Sequence, residues 1–283
     1  MKKPIIICLA AVFCIVCTPP AHTTDSTVTI ASFNIQVFGK TKAGKPAVME
    51  VLADMITRFD VVAIQEIRNK SGTAIVKLES EVDALGSDYA VITGPRLGRT
   101  TSKEQYAFMY RTSTIEPVGD TYTYKEPGGT DPFHREPFIG KFRSRLGRFD
   151  FVLITVHTDP DEATAEICSL DTVLDDARIQ YPDEGDFIIL GDLNADCRYY
   201  NESEPNPIPG TLWLIPDTAD TTVKSTVCTY DRIIITSEAD EDHTGTSEVY
   251  RFDTVHDLTN TQAAKVSDHY PVYAEFFTYA DTD

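Results

Sequence analysis

The sequence has 283 residues and a formal net charge of −19, with 44 acidic against 25 basic side chains. Such an acid excess argues against a passive binder of polyanions, which would carry a basic face. It leaves room for an enzyme that meets a polyanion through divalent cations and a few arginines, and equally for a plain solvated acidic surface suited to a salty or calcium-rich exterior.

Met1-Lys2-Lys3 gives a basic start, Ile5 to Cys17 is an apolar run too short to span a bilayer, and Pro19-Pro20-Ala21 supplies small residues after it. This pattern predicts a secretory signal over residues 1–21 and a single domain over 22–283. No other stretch is long and apolar enough to cross a membrane, so the mature chain is expected to be secreted, soluble and monomeric. There is no internal repeat, and the Pro- and Asn-rich segment Asn201 to Gly210 reads as a surface loop.

In chain order, β-rich apolar runs occur at Val28–Phe33, Val61–Gln65, Tyr106–Tyr110, Phe149–Val156, Phe187–Leu190, Arg232–Thr236 and Pro271–Phe277. Helical spacing appears at Val48, Val51, Leu52, Met55, Ile56 and Phe59, and again from Ala163 to Ala177. Strands this apolar need cover on both faces, which predicts two packed sheets with helices outside.

Cys8, Cys14 and Cys17 lie in the leader, so Cys168, Cys197 and Cys228 remain in the mature chain. An exported protein is expected to pair two of them. Cys197 follows Gly191-Asp192-Leu193-Asn194 and Cys228 precedes Tyr230-Asp231, so a Cys197–Cys228 bridge would clamp the loop between. Cys168 falls on an apolar helical face with Ala163, Ile167, Leu170 and Leu174 and is expected to be a buried free thiol.

Asn34, Glu66, His157 and Asp192 stand at or just past the ends of apolar strands, whereas Asp231 and Asp268-His269 stand just before others. Where neighbours run antiparallel, ends of one set and starts of another share a rim. That rim would gather carboxylate oxygens for a hard cation, imidazoles for proton transfer and amides for a phosphate, the set needed for metal-assisted phosphodiester hydrolysis.

The motifs Phe33-Asn34-Ile35-Gln36-Val37-Phe38-Gly39, Gln65-Glu66-Ile67-Arg68, Phe133-His134-Arg135-Glu136-Pro137, Gly191-Asp192-Leu193-Asn194, Trp213-Leu214-Ile215-Pro216-Asp217, Tyr230-Asp231-Arg232 and Ser267-Asp268-His269-Tyr270-Pro271 occur in this order along nearly all of the mature chain. Taken together they resemble the deoxyribonuclease I family of the endonuclease/exonuclease/phosphatase superfamily. The resemblance implies an α/β fold, a four-layered α/β sandwich of two packed mixed sheets flanked by helices. It implies a secreted endonuclease that hydrolyses DNA to 5′-phosphate and 3′-hydroxyl ends, with duplex DNA held by backbone and minor-groove contacts.

The same resemblance implies Glu66 as the main Mg²⁺ or Mn²⁺ ligand, with Asn34 and Asp268 completing the metal shell beside Asp192. It implies His157 held by Glu104 and His269 held by Asp231 as the catalytic histidines, and Asn194 as a donor to the phosphate. Arg68, Arg135 and Tyr230 match DNA contacts. Structural Ca²⁺ sites would use Asp220, Thr222 and Thr226 in one loop, and Asp131, Phe133 through its carbonyl, and Glu136 in another.

This chain departs from the family in places. Glu126-Pro127-Gly128-Gly129 has no cysteine where the family has a small disulfide, Lys224 replaces a neutral residue in the first calcium loop, and Asp159 adds an acid after His157. Ser102 stands where the family usually has a tyrosine packed on a sugar. Two other functions fit the superfamily fold: hydrolysis of lipid or inositol phosphates, and noncatalytic binding by a dead nuclease. The second would be marked by loss of a main catalytic residue, and none is lost.

Overall fold

The computed structural model describes residues 26–279 and 281, so the expected leader lies outside the described residues. The first half contributes β1 (Thr27–Phe38), α1 (Lys40–Ala43), α2 (Pro46–Ile56), β2 (Val61–Ile67), α3 (Thr73–Asp83), β3 (Tyr89–Thr93), β4 (Gln105–Arg111), β5 (Ile115–Thr123) and β6 (Phe138–Ser144). The second contributes β7 (Asp150–His157), α4 (Ala163–Gln180), β8 (Phe187–Asp192), β9 (Thr211–Trp213), β10 (Asp231–Thr236), α5 (Ser237–Asp242), β11 (His243–Val249), α6 (Phe252–Val255), α7 (Asn260–Val266) and β12 (Val272–Phe277). The strands form two six-stranded sheets, ordered β11-β12-β1-β2-β4-β3 and β5-β6-β7-β8-β10-β9.

Each sheet has one parallel pair near its centre, β1 with β2 and β7 with β8, and antiparallel neighbours elsewhere. The central strands are apolar on both faces because both are covered. On β8, Ile188 and Leu190 join the core between the sheets while Phe187 and Ile189 face the cluster that includes α4. On β1, Val28 and Ile30 point to the inter-sheet core, whereas Ala31, Phe33 and Ile35 pack with α2 and α3. Fully burying one such side chain contributes roughly 1.5–3 kcal/mol, so these alternating rows set the strand register.

A short polar seam crosses between the sheets beneath the rim: Gln65 Nε2 donates to Ser32 Oγ at 3.1 Å and to Thr155 Oγ1 at 2.9 Å. Gly191, beside it in β8, has φ +158, and an added Cβ would lie 1.8 Å from the Val156 carbonyl of β7. Only glycine fits there, because β7 and β8 approach one another at the strand end that bears the site.

The architecture agrees with the expected four-layered sandwich. Cys168 does not behave as expected: it is free, but exposed. It follows Ile167, and one residue along a helix turns the side chain about 100° away from the buried stripe. Cys197 and Cys228 are bridged across 31 residues.

Candidate active site

Antiparallel topology brings the C-terminal ends of β1, β2, β7 and β8 to the same rim as the starts of β10 and the segment leading into β12. Asn34, Glu66, His157, Asp192, Asp231 and His269 meet there, as do Asp268 and Glu104. The backbone is irregular where it presents them. Gln36, Val37, Glu66 and Asn194 all have positive φ between 47° and 59°, and the ladders of β1 and β2 shift register beside Asn34 and Glu66. Bulges and left-handed residues of this kind re-aim side chains at strand ends, at a cost of order 1–3 kcal/mol each that the surrounding core must carry.

Asp192 is the hub. Its Oδ2 lies 3.5 Å from His157 Nε2 and 3.5 Å from His269 Nε2, and accepts a hydrogen bond from Asn34 Nδ2 at 2.8 Å. Each imidazole is backed at Nδ1 by its own carboxylate: His157 by Glu104 at 2.9 Å and His269 by Asp231 at 2.8 Å. Such backing fixes the ring and stabilises the protonated form. Tyr230 lies against His269, with ring centroids 6.2 Å apart, and Tyr199 lies 5.6 Å beyond it.

Glu66 is held from three sides, by Val37 N at 2.7 Å, Asn34 Nδ2 at 3.2 Å and Arg68 Nη2 at 3.2 Å. Arg68 also reaches Glu104 at 2.8 Å and Ser102 Oγ at 3.0 Å, so one guanidinium links the Glu66 side to the His157 side. Arg68 keeps about a third of its side chain exposed. Arg135, expected as a DNA contact, is only 6% exposed, and its Nε and Nη2 donate to the carbonyls of His157 and Thr158 at 3.0 Å each. It braces the strand end under His157. Asn194 is likewise tied, its Nδ2 donating to the Thr158 carbonyl at 3.1 Å.

The electrostatics follow from this layout. Burial works against ionisation of Glu104, but His157, Arg135 and Arg68 outweigh it and bring its carboxyl down to about 2. Burial and Arg135 oppose a charge on His157, yet Glu104 and Asp192 raise it. Burial is again outweighed at His269, where Asp231, Asp192 and Asp268 push the imidazole up to about 10. Lys42, which motif reading did not single out, is buried with its Nζ on the carbonyls of Ile35 and Val266 at 2.8 and 2.7 Å. Burial lowers it to about 8 against the pull of Asp268 and Glu66. Lys42 stands three residues past the Phe33–Gly39 motif, and a lysine so placed gives no signal until the fold closes over it.

The donor set offered to a cation is Glu66, Asp268, Asp192 and Asn34, all oxygen, which fits Mg²⁺ or Mn²⁺ better than a soft metal. The expected calcium loops differ from one another. In the first, Thr222 Oγ1 meets both Asp220 Oδ1, at 2.9 Å, and the Thr226 carbonyl, so three oxygens gather. In the second, Asp131 is already paired with Arg99 Nε at 2.9 Å, and Phe133 N is held by Glu126 at 3.0 Å. Glu126, Asp131 and Glu136 thus gather in this loop, with the Arg99 guanidinium balancing part of their charge.

A rim that sets two carboxylate-backed histidines around an aspartate, with oxygen ligands beside them on a two-sheet sandwich, defines a class of phosphoester hydrolases. The endonuclease/exonuclease/phosphatase family model matches residues 31–269. The chain is 37% identical over 255 residues to Deoxyribonuclease-1 of Oryctolagus cuniculus, covering 86% of this chain and 90% of that protein. It is 36% identical over 255 residues to Deoxyribonuclease-1 of Homo sapiens, with the same coverage. The chain thus belongs to the deoxyribonuclease I family within that larger group. Among solved structures it resembles, in fold, an endonuclease/exonuclease/phosphatase family protein from Bacteroides thetaiotaomicron, with TM-score 0.64, 17% identity and 89% and 97% of the two chains covered. It also resembles D. rerio TDP2 complexed with a single-strand DNA product, with TM-score 0.60, 17% identity and 90% and 100% covered.

Proposed function

We propose that this protein is a secreted, divalent-metal-dependent endonuclease that hydrolyses DNA phosphodiester bonds and leaves 5′-phosphate and 3′-hydroxyl ends. The observation that carries this reading is the paired approach of His157 and His269 to Asp192, each imidazole with a separate carboxylate behind it. Water attacking phosphorus must lose a proton while the departing 3′ oxygen gains one, so two groups of this kind serve better than one.

Glu66, Asn34 and Asp268, with Asp192 beside them, would hold Mg²⁺ or Mn²⁺. Bound there, such an ion would supply charge stabilisation at the phosphoryl oxygens. His269, as the neutral imidazole, takes a proton from the attacking water, with Asp231 holding the ring. His157, oriented by Glu104, delivers a proton to the 3′ oxygen. Asn194 and Asn34 amides face the phosphate, and Arg68 and Tyr230 meet the flanking strand. A structural Ca²⁺ belongs to the Asp220, Thr222 and Thr226 loop. The signal-like pattern of residues 1–21 and the Cys197–Cys228 bridge support an extracytoplasmic setting.

The test is nicking of supercoiled plasmid with Mg²⁺, with Mn²⁺, and with EDTA, next to lipid and inositol phosphates. Nicking that EDTA abolishes, with ligatable ends, is expected. Full cutting in EDTA removes the metal mechanism, and turnover of a lipid or inositol phosphate alone removes the nuclease.

A further inference from the structure

Two loops meet behind His157. One lies between β5 and β6 and carries Arg135; the other follows β7 and carries Thr158 and Asp159. Arg135 holds the second loop by the carbonyls of His157 and Thr158, at 3.0 Å each, and its Nε lies 3.7 Å from Glu104 Oε2. Since Glu104 is the carboxylate on His157 Nδ1, Arg135 touches both the main chain and the side-chain partner of that imidazole. Thr158 is tied to the rim as well. Its amide donates to the Asp192 carbonyl at 3.1 Å, and its carbonyl accepts from Asn194 Nδ2 at 3.1 Å.

The residue that joins the two loops belongs to neither. Glu166 reaches in from the first turn of α4, and its Oε1 accepts from His134 N at 3.2 Å and from Asp159 N at 3.1 Å. The side chain is fully buried, and its Oε2 meets no hydrogen-bond partner among the described residues. Burying an acid away from water costs stability, and two amides on one oxygen offset part of that cost. The helix does not need it, because Ile167, Leu170 and Leu174 already supply the apolar face of α4. Each amide that Glu166 holds stands one residue from a brace of the site, His134 next to Arg135 and Asp159 next to Thr158. The same loops meet again nearer the surface, where His134 Nδ1 lies 3.4 Å from Asp159 Oδ2, but both of those side chains are partly exposed. Water screens such a pair, so the buried carboxyl is the stronger tie.

Resting on the nuclease reading above, we propose that Glu166 is a positioning residue for His157: it sets the spacing of the two loops and, through Arg135 and Thr158, the place of the imidazole on the rim. It touches neither the substrate nor the reacting atoms. Displacing a proton-transfer group costs rate rather than binding, and a shift of about 1 Å can cost about 10²-fold. The role needs an acceptor at Oε1 and no charge, so the carbonyl of a glutamine can fill it.

The experiment measures kcat and KM for cleavage of a fluorescent duplex by Glu166→Ala, Glu166→Asp and Glu166→Gln, each also on a His157→Ala background, below the Tm of every variant. Glu166→Ala should lower kcat by about 10–10²-fold and leave KM nearly as in the parent. Glu166→Asp, one methylene shorter, should lose one of the two amides and fall between, which serves where the alanine variant does not fold. Glu166→Gln should keep most of the rate. On the His157→Ala background none of the three should cost anything further, because there is no ring left to place. Losses that multiply on that background, or that fall on KM, would refute the positioning role. So would parental kcat in the folded alanine and aspartate variants, or a glutamine variant as slow as the alanine one. Failure of both the alanine and aspartate variants to fold would make Glu166 a structural residue and overturn the proposal equally. A parent protein that cuts no DNA removes the nuclease reading itself, whereas multiplying losses in a parent that cuts remove the role of Glu166 alone.

Discussion

The two histidine–carboxylate pairs look alike in sequence and are built differently. Glu104 behind His157 sits between Arg68 and Arg135, at 2.8 and 3.7 Å, so its charge is held by guanidinium groups and its orientation by a network. Asp231 behind His269 has no arginine within salt-bridge distance; it is fully buried, its carboxylate meets the imidazole at 2.8 Å, and its amide donates to the Thr221 hydroxyl at 3.2 Å. One pair is fixed by ionic bracing. The other is fixed by a loop that the disulfide closes, and its imidazole answers to three carboxylates. The comparison teaches that a shared motif logic, His next to an acid, leaves the proton affinity to the second layer of charges.

The largest effect that can break this comparison is on rate. His157→Ala and His269→Ala should each cut turnover by about 10²–10⁴-fold, with circular dichroism unaltered, since both side chains lie on the rim and outside the core clusters. A substrate with a stabilised phenolate leaving group should restore much of the rate to the acid variant, expected to be His157→Ala, and little to the base variant. Equal impairment of both on that substrate would make the two histidines transition-state stabilisers, with no division into acid and base.

A smaller effect concerns stability on the His269 side. Replacing Cys197 and Cys228 by serine releases a loop of 31 residues, for which chain entropy gives a loss of about 3–4 kcal/mol. A fall in Tm of several degrees is expected, together with a lower rate at temperatures where the variant is still folded, because the loop carries Thr222 against His269. The matching loosening should be absent on the His157 side, where no bridge operates.

The smallest effect belongs to the His157 side. Glu166 of α4 is buried beneath the loop after His157, its Oε1 accepting from the amides of His134 and Asp159 at 3.2 and 3.1 Å. Burial raises its carboxyl to about 7 against these amides and Arg135. A raised folded pKa means that the folded state holds the proton more tightly. Its stabilising contribution is therefore full below about pH 4.5 and is lost as pH climbs to about 7. Glu166→Gln cannot ionise, so the variant should gain on the parent protein across that window, by at most about 3 kcal/mol. A pH-independent difference in Tm between the two would show that Glu166 stays ionised throughout.

Much of this arrangement was legible in the chain. Asn34, Glu66, His157 and Asp192 were placed by the apolar strands that precede them, and Asp231, Asp268 and His269 by the strands that follow. Short edge strands such as β3, β9 and β11 were not legible, because strands half exposed to water lose the apolar run that marks a central one. Strand β6 was missed for another reason: Gly140, Lys141 and Arg143 interrupt its apolar row, although Phe138, Ile139 and Phe142 are buried. Cys168 misled because its neighbour Ile167 carries the helix stripe.

The sequence by itself determined the central strands, the apolar rows they bury and the chemistry that collects at their ends, because hydrophobic period and chain order are local properties. Only the tertiary structure decided that Arg135 is a buried brace, that Lys42 lies under the site, that Arg99 pairs with Asp131 and that Lys224 reaches Asp268. Those are choices of partner among charges far apart in the chain, such as Arg99 with Asp131 and Lys224 with Asp268. Coulomb attraction and the cost of desolvation depend on distance in space and on burial, and neither is written along the chain.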